Sequence, residues 1–337
     1  MQGMPRLKIG RIEVPYPIIQ GGMAIRISTS RLATAVANEG GIGVIAGTAM
    51  SVSELKQEIA EAKKMIKGNG ALGVNILFAV SDFAELVKTA MAAGIDMFTS
   101  GAGISRDMYG WGKKYGVEIV PMVSSGRLAK IAERLGASAV VVEGVEAGGH
   151  LGTNRSVKDV LAEVVQAVKI PVIAAGGIIT GGDIYHFLRH GAHGVQMATR
   201  FAASEECNAA PAFKQFYLNA KPEDSVFIQS SVGLPGRAVL SPLSRKIISG
   251  ERLVTGDCSD CMKKCTKSFC IRRALEAAQV GNIEEALIFA GQRVGEIKDV
   301  LSVSGIFKRL KAEFYAEQQR WQEQESHCEK TIQQKRP

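Results

Sequence analysis

The feature that most constrains this chain is an alternation: short apolar runs and segments of helical period take turns through its first two-thirds. Residues 17–20, 43–46, 72–76, 95–99, 118–123, 139–142, 172–175 and 194–197 read as strands, being apolar and rich in β-branched side chains. Helical spacing fills the gaps at 31–39, 53–66, 82–92, 106–115, 128–135, 157–168, 183–189 and 205–218. Repeating units of roughly 25 residues with right-handed crossovers imply an α/β chain closed into a TIM (β/α)8 barrel. A doubly wound open sheet has the same local signature. The glycine-rich ends of the first, sixth, seventh and eighth strands favour the barrel, where all of them would converge on one face.

The sixth strand carries the most chemistry. Val140, Val141 and Val142 end in Glu143, and a loop with Gly144, Gly148, Gly149 and Gly152 then delivers His150. Glycines there let the backbone take positive φ or lie close against a flat ligand. A histidine just beyond a strand end is where a barrel places its reactive groups, so His150 is the candidate catalytic residue. His186, His190 and His193 cluster around the seventh helix and read as surface or packing residues.

After the seventh strand come Gly176 and Gly177; the eighth runs through Gln196, Met197, Ala198 and Thr199. Loops in these positions often bind phosphate through backbone amides, with the helix opening at Gly182-Asp183 adding a favourable dipole. The amide of Gln20, the bare backbone at Gly22 and Met23, the Asn75 amide and the Glu143 carboxyl would meet a planar, polar-edged ring. Together these suit flavin mononucleotide (FMN). No Gly-x-Gly-x-x-Gly follows a first strand, which argues against a dinucleotide in a Rossmann domain. A flavin-free sugar-phosphate lyase or isomerase is a remote alternative; it would want a lysine or paired carboxylates at the strand ends.

Composition narrows the partners. With 46% hydrophobic and 22% charged residues the chain is ordinary for a globular protein, and no apolar run approaches the ~20 residues of a membrane span. The formal charge of +8 is dispersed, which favours anionic ligands but gives no nucleic-acid footprint. Without a signal-peptide core at its amino end, the chain is expected in the cytoplasm with reduced thiols. A homodimer is compatible with this reading.

Four segments carry a resemblance: Pro17-Ile-Ile-Gln-Gly-Gly-Met23, Glu143-Gly-Val-Glu-Ala-Gly-Gly-His150-Leu-Gly, Pro171-Val-Ile-Ala-Ala-Gly-Gly177-Ile and Gly194-Val-Gln-Met-Ala-Thr-Arg-Phe201. In order and spacing, over about residues 12–300, the chain resembles the nitronate monooxygenase (2-nitropropane dioxygenase) family, which also contains FMN-dependent enoyl-acyl-carrier-protein reductase II. The resemblance implies a TIM barrel with a smaller second domain and non-covalent FMN between them. It places Gly22, Met23, Asn75, Glu143, Gly176, Gly177, Gln196, Met197 and Thr199 around the flavin and His150 facing its ring. The stretch 290–292 resembles a segment that returns toward the flavin. Ala198 departs from the family's usual glycine; a positive φ there would strain an alanine. The implied activity is oxidation of alkyl nitronates with dioxygen; the alternative is reduction of an enoyl thioester with NAD(P)H as reductant.

Beyond residue 222 the rhythm changes. Residues 1–222 are expected to form the FMN-binding barrel and 223–337 a smaller, mostly helical domain over its mouth. Within the latter, 226–231 reads as a strand, 233–237 as a turn, 271–278 and 283–297 as helices, and 307–324 as a solvated tail helix with Leu310, Phe314 and Trp321 in one stripe. Past residue 327 a charged, frayed tail is expected. Cys258, Cys261, Cys265 and Cys270 have spacings that suit a metal or an iron–sulfur cluster; the alternative is a metal-free set of thiols.

Overall fold

The computed structural model describes residues 3–101, 103–251, 253 and 258–334. An antiparallel hairpin, β1 (Leu7–Ile9) and β2 (Ile12–Val14), opens the chain, and its buried Leu7, Ile9, Ile12 and Val14 belong to the apolar cluster inside the barrel. The parallel sheet follows as β3 (Ile18–Gln20), β4 (Ile42–Ala46), β5 (Ala71–Asn75), β6 (Met97–Thr99), β7 (Glu118–Ile119), β8 (Met122–Val123) and β9 (Val140–Glu143). After β10 (Gly149–His150), which lies outside this sheet, it is completed by β11 (Val172–Ala175) and β12 (Gly194–Met197). The order β7-β6-β5-β4-β3-β12-β11-β9-β8 begins and ends on two pieces of one chain run. Pro121, which has no N–H to give a ladder, separates them. The Val120 N–H donates to Phe98 O at 2.9 Å on one side, and the Val141 N–H donates to Pro121 O at 3.0 Å on the other. The ring therefore closes, and the expected barrel is present with its fifth strand split.

Helices α1 (Ser30–Asn38), α2 (Val52–Met65), α3 (Phe83–Ala92), α4 (Asp107–Tyr115), α5 (Gly126–Leu135), α6 (Val157–Ala167) and α7 (Gly181–Arg189) fill the crossovers as expected. The eighth does not. A single turn, α8 (Thr199–Ala202), follows β12, and α9 (Pro211–Asn219) starts only where Pro211 can serve as a first helical residue. The place of an eighth barrel helix is taken by α12 (Val303–Gln334).

Next come an antiparallel hairpin, β13 (Ser225–Gln229) and β14 (Pro235–Val239), then α10 (Pro242–Ile248) and α11 (Ile271–Val280). Part of the stretch read as a turn is thus strand. The expected helix over 283–297 is absent: 3-10 turns at Ile283–Glu285 and Val294–Glu296 flank extended chain. Tertiary bonds override the helical period there, with the Val239 N–H donating to Ile288 O at 2.8 Å and the Leu287 N–H to Ala274 O at 3.0 Å.

The last helix, α12 (Val303–Gln334), packs on α7 and α1 and so seals the seam between the barrel's last and first units. The Gly181 N–H donates to Glu313 Oε2 at 2.7 Å, and a Cβ on Gly181 would sit 1.9 Å from Leu310 O. Val303, Ile306, Phe307, Leu310 and Phe314 are buried, each large side chain contributing about 1.5–3 kcal/mol. The stripe is where it was expected, but the first half of this helix is core and not a solvated appendage. Helix continues to Gln334 through most of the expected frayed tail; residues 335–337 lie outside the described set.

Candidate active site

The carboxyl ends of the barrel strands open into a cavity of about 850 Å³, within the roughly 300–1,000 Å³ usual for cofactor and ligand sites. Gly22 and Met23 after β3, Asn75 at the end of β5 and Glu143 at the end of β9 reach its wall. So do Gly148, Gly149 and His150, and, beyond β12, Gln196, Ala198 and Thr199. Gly22 fits because its missing Cβ would come 2.5 Å from the Asn75 Cβ.

Three expected residues stand outside the wall. Met197 is buried in the core, and its carbonyl accepts from the Gly21 N–H at 2.9 Å. Gly176 and Gly177, with φ of 112° and 68°, sit behind the Glu146–Ala147 turn. Arg293 clamps that turn region, donating to Gly177 O at 2.8 Å and to Asp183 Oδ1 at 2.7 Å. The start of α7, expected to offer its dipole to a phosphate, is already committed. Asp183 Oδ2 accepts from the Ile179 and Thr180 amides at 3.0 and 2.8 Å, and Glu313 takes the Gly181 amide. The Gln20 amide is likewise used inside the barrel, its Oε1 accepting from the Val44 N–H at 3.0 Å. Ala198 has a φ of −116°, so an alanine carries no strain there. Thr199 Oγ1 accepts from the Gly291 N–H at 2.9 Å, which brings the 290–292 stretch to the site and leaves the hydroxyl hydrogen to donate.

His150 is positioned by a strand pair that crosses the length of the chain. β10 runs antiparallel to β14, with Gly149 opposite Arg237 and His150 opposite Gly236. The buried Arg237 fastens the loop from below, its Nε donating to Val145 O at 3.0 Å and an Nη to Ser225 Oγ at 2.9 Å. Gly148 lies flat on the Ala290–Gly291 backbone, where a Cβ would come 2.4 Å from the Ala290 carbonyl carbon. Gly149 has a φ of 89° and open space where its Cβ would be, so the cavity reaches bare backbone there. His150 Nε2 is 2.9 Å from Ser230 Oγ, and the imidazole meets the Phe289 ring edge-on at 5.3 Å. Ser230 and Phe289 were not singled out from the sequence; each lies far along the chain in an unremarkable local context.

Burial sets the charge state of this wall. It lowers the His150 pKa to about 4 and pushes the Glu143 carboxyl up to about 8, so both are uncharged at neutral pH. The Ser230 hydroxyl, accepting from the Val232 N–H at 3.3 Å, has its own hydrogen available for Nε2. In that tautomer the imidazole proton is on Nδ1.

The four clustered cysteines do not assemble as a ligand set. Among the described residues, no three His, Cys, Asp or Glu side chains are placed to hold a metal ion. Cys258 and Cys265 are exposed and turned to local partners, Asp260 and the Lys267 N–H, while Cys261 and Cys270 are half-buried. Asp260 and Lys267, within this stretch, are both at positive φ, 46° and 56°.

The nitronate monooxygenase family model matches residues 6–96 and 68–313. A Mycobacterium tuberculosis protein named (3aS,4S,5R,7aS)-5-hydroxy-7a-methyl-1-oxo-octahydro-1H-indene-4-carboxyl-CoA dehydrogenase is 31% identical over 72% of this chain and 68% of its own. A probable nitronate monooxygenase of Staphylococcus aureus is 26% identical over 83% and 89%. The structure of FabK from Thermotoga maritima superposes with a TM-score of 0.81 at 31% identity, covering 92% of this chain and 96% of that one. No helix among the described residues is long and apolar enough to cross a membrane. Barrel, cavity and sequence therefore agree: the chain belongs to the nitronate monooxygenase family and is a flavin-dependent oxidoreductase.

Proposed function

We propose that this chain holds FMN in the barrel cavity and reduces the carbon–carbon double bond of an enoyl thioester. One observation carries the choice of substrate: the two ionisable groups on the inner wall, Glu143 and His150, are both held neutral by burial. A nitronate is an anion, and neither of these groups gives it a counter-charge, while Arg272 on the cavity lining is paired with Glu276 at 3.0 Å. An acyl chain is neutral and suits the apolar part of the cavity wall, to which Leu275, Ala278, Leu287 and Phe289 contribute. That the 31% identical relative is named for a CoA-thioester substrate supports the same class.

The residues present suit FMN. The bare backbone at Gly149 and the close packing of Gly22 on Asn75 leave a flat-walled slot. The protonated Glu143 is a donor for a ring acceptor, and Asn75 and Gln196 offer amides from neighbouring strand ends. Bound FMN would supply the hydride chemistry, with NAD(P)H as its reductant. The chain's own part is positioning and proton handling. His150, held through Nε2 by Ser230, presents its Nδ1–H to the thioester carbonyl oxygen and stabilises charge that develops there. Phe289 packs on the imidazole edge and helps to exclude water.

Nitronate oxidation is the second reading, favoured by the name of the 26% identical relative. An anaerobic titration of the flavin-loaded protein separates the two. Bleaching of the flavin by NADH or NADPH, reversed by a short enoyl thioester, is the expected result. Bleaching by an alkyl nitronate, with no response to nicotinamides, would establish the nitronate monooxygenase instead.

A further inference from the structure

The cavity lining carries one cation that the chemistry of the inner wall does not use. Among the described residues lining the cavity, Arg272 in the first turn of α11 is the sole lysine or arginine. Its side chain is 36% exposed, which sets it toward the rim, whereas burial holds Glu143 and His150 uncharged. A fixed carboxylate orients it: Nε donates to Glu276 Oε1 at 3.0 Å, one helical turn along. Glu276 is in turn 3.8 Å from Arg26 Nη1, and Arg26 is committed to α2, its Nε and Nη2 donating to the two Glu54 oxygens at 2.5 and 2.8 Å. Both sides of this tie line the cavity, through Ile25 and Ser51 on the barrel and through Arg272 and Leu275 on α11. Arg272 gives only one of its five N–H donors to it; both Nη groups are without a hydrogen bond among the described residues. Asp82 and Asp260 also line the cavity and would turn an anion away, so Arg272 is where one can settle.

We propose that Arg272 is a phosphate hook: its two Nη groups receive the phosphate at the far end of a long ligand whose other end reacts inside the cavity. A guanidinium fork matches phosphate oxygens pairwise, and one already anchored through Nε loses little freedom in doing so. The inference rests on the proposed reading of the site, and two ligands of that reading have this shape. A thioester on coenzyme A has an uncharged pantetheine arm between its acyl group and its first phosphate. NAD(P)H has its pyrophosphate one ribose away from the nicotinamide. A small substrate such as an alkyl nitronate has no such group, so the hook selects for substrates delivered on a phosphate-bearing handle.

The test compares the full-length, flavin-loaded protein with Arg272→Gln. Calorimetry with desulfo-coenzyme A and with NADP+ reads binding without turnover. At least one of the two should bind the variant about tenfold more weakly than the parent, as loss of a charge-assisted bond implies, and Arg272→Lys should recover part of the loss. In turnover, each phosphate-bearing substrate is set against a phosphate-free counterpart: crotonyl-coenzyme A against crotonyl-N-acetylcysteamine, and NADPH against a benzyl dihydronicotinamide. In at least one pair the ratio of the two KM values should rise about tenfold in the variant. A change confined to coenzyme A assigns the hook to the thioester, and one confined to the dinucleotide assigns it to the reductant. Probes that bind parent and variant alike, or that fail to bind the parent, would overturn the proposal. So would loss of flavin from the variant, which would make Arg272 a contact of the cofactor. A parent that binds the probes yet reduces neither thioester would instead overturn the enoyl reductase reading and leave the hook standing.

Discussion

Replacing Glu143 by glutamine tests the electrostatics of the cavity wall directly. Burial moves its carboxyl from 4.5 up to about 8. Across that window the folded protein holds a proton that the unfolded chain has released, so stability falls as pH rises. The contribution is fully present below pH 4.5 and is lost as the pH climbs through about 8. A tenfold change in proton affinity corresponds to about 1.4 kcal/mol, which sets a ceiling of about 5 kcal/mol for the whole shift. Glu143 keeps some exposure to the cavity, and water drawn to the ionised form lowers the cost, so about 2 kcal/mol is expected. Glu143→Gln keeps the shape and removes the titration. In urea unfolding of the flavin-free proteins, the variant should gain about 2 kcal/mol on the parent between about pH 5 and about pH 9. His150, lowered to about 4, titrates in the opposite sense: its contribution is present above 6.5 and lost as pH falls toward 4. It is common to both proteins and subtracts out. Parallel pH curves for variant and parent would refute a buried, protonated Glu143.

Three further outcomes follow from the same geometry. Gly148→Ala places a methyl within 2.4 Å of the Ala290 backbone and should cost about 1–3 kcal/mol of stability and weaken flavin binding, read by thermal unfolding and by flavin fluorescence. Ser230→Ala removes the partner of His150 Nε2, worth about 1 kcal/mol; kcat should fall about fivefold with KM little changed, and a rise in KM alone would point to a binding role. Arg293→Ala leaves Gly177 O and Asp183 Oδ1 without their partner and should cost about 1–3 kcal/mol of stability, read by urea unfolding.

Much of the barrel was legible because its signals are local. Each strand is a short apolar run, each helix shows its own period, and Gly116 and Gly136 end α4 and α5 in left-handed caps. What sequence hid was long-range. Residues 283–297 have helical spacing, yet Leu287 and Ile288 bond to Ala274 and Val239 instead. The cavity-facing glycines were readable from the strand ends, and so was His150. Ser230 was not, since only the pairing of β10 with β14 brings the two together. The same limit applies to the cysteines: their spacing suited a cluster, but the described side chains do not gather into a ligand set.

The position of α12 has a consequence for how this protein is made. A ribosome releases the strands of the barrel long before Val303, so for much of synthesis the seam between β3 and β12 lacks its cover. The nascent chain must carry the future bed of Phe307 and Leu310 exposed until α12 emerges, and such apolar surface is prone to aggregate. A chain cut short by premature termination would keep all its strands and still show that open seam.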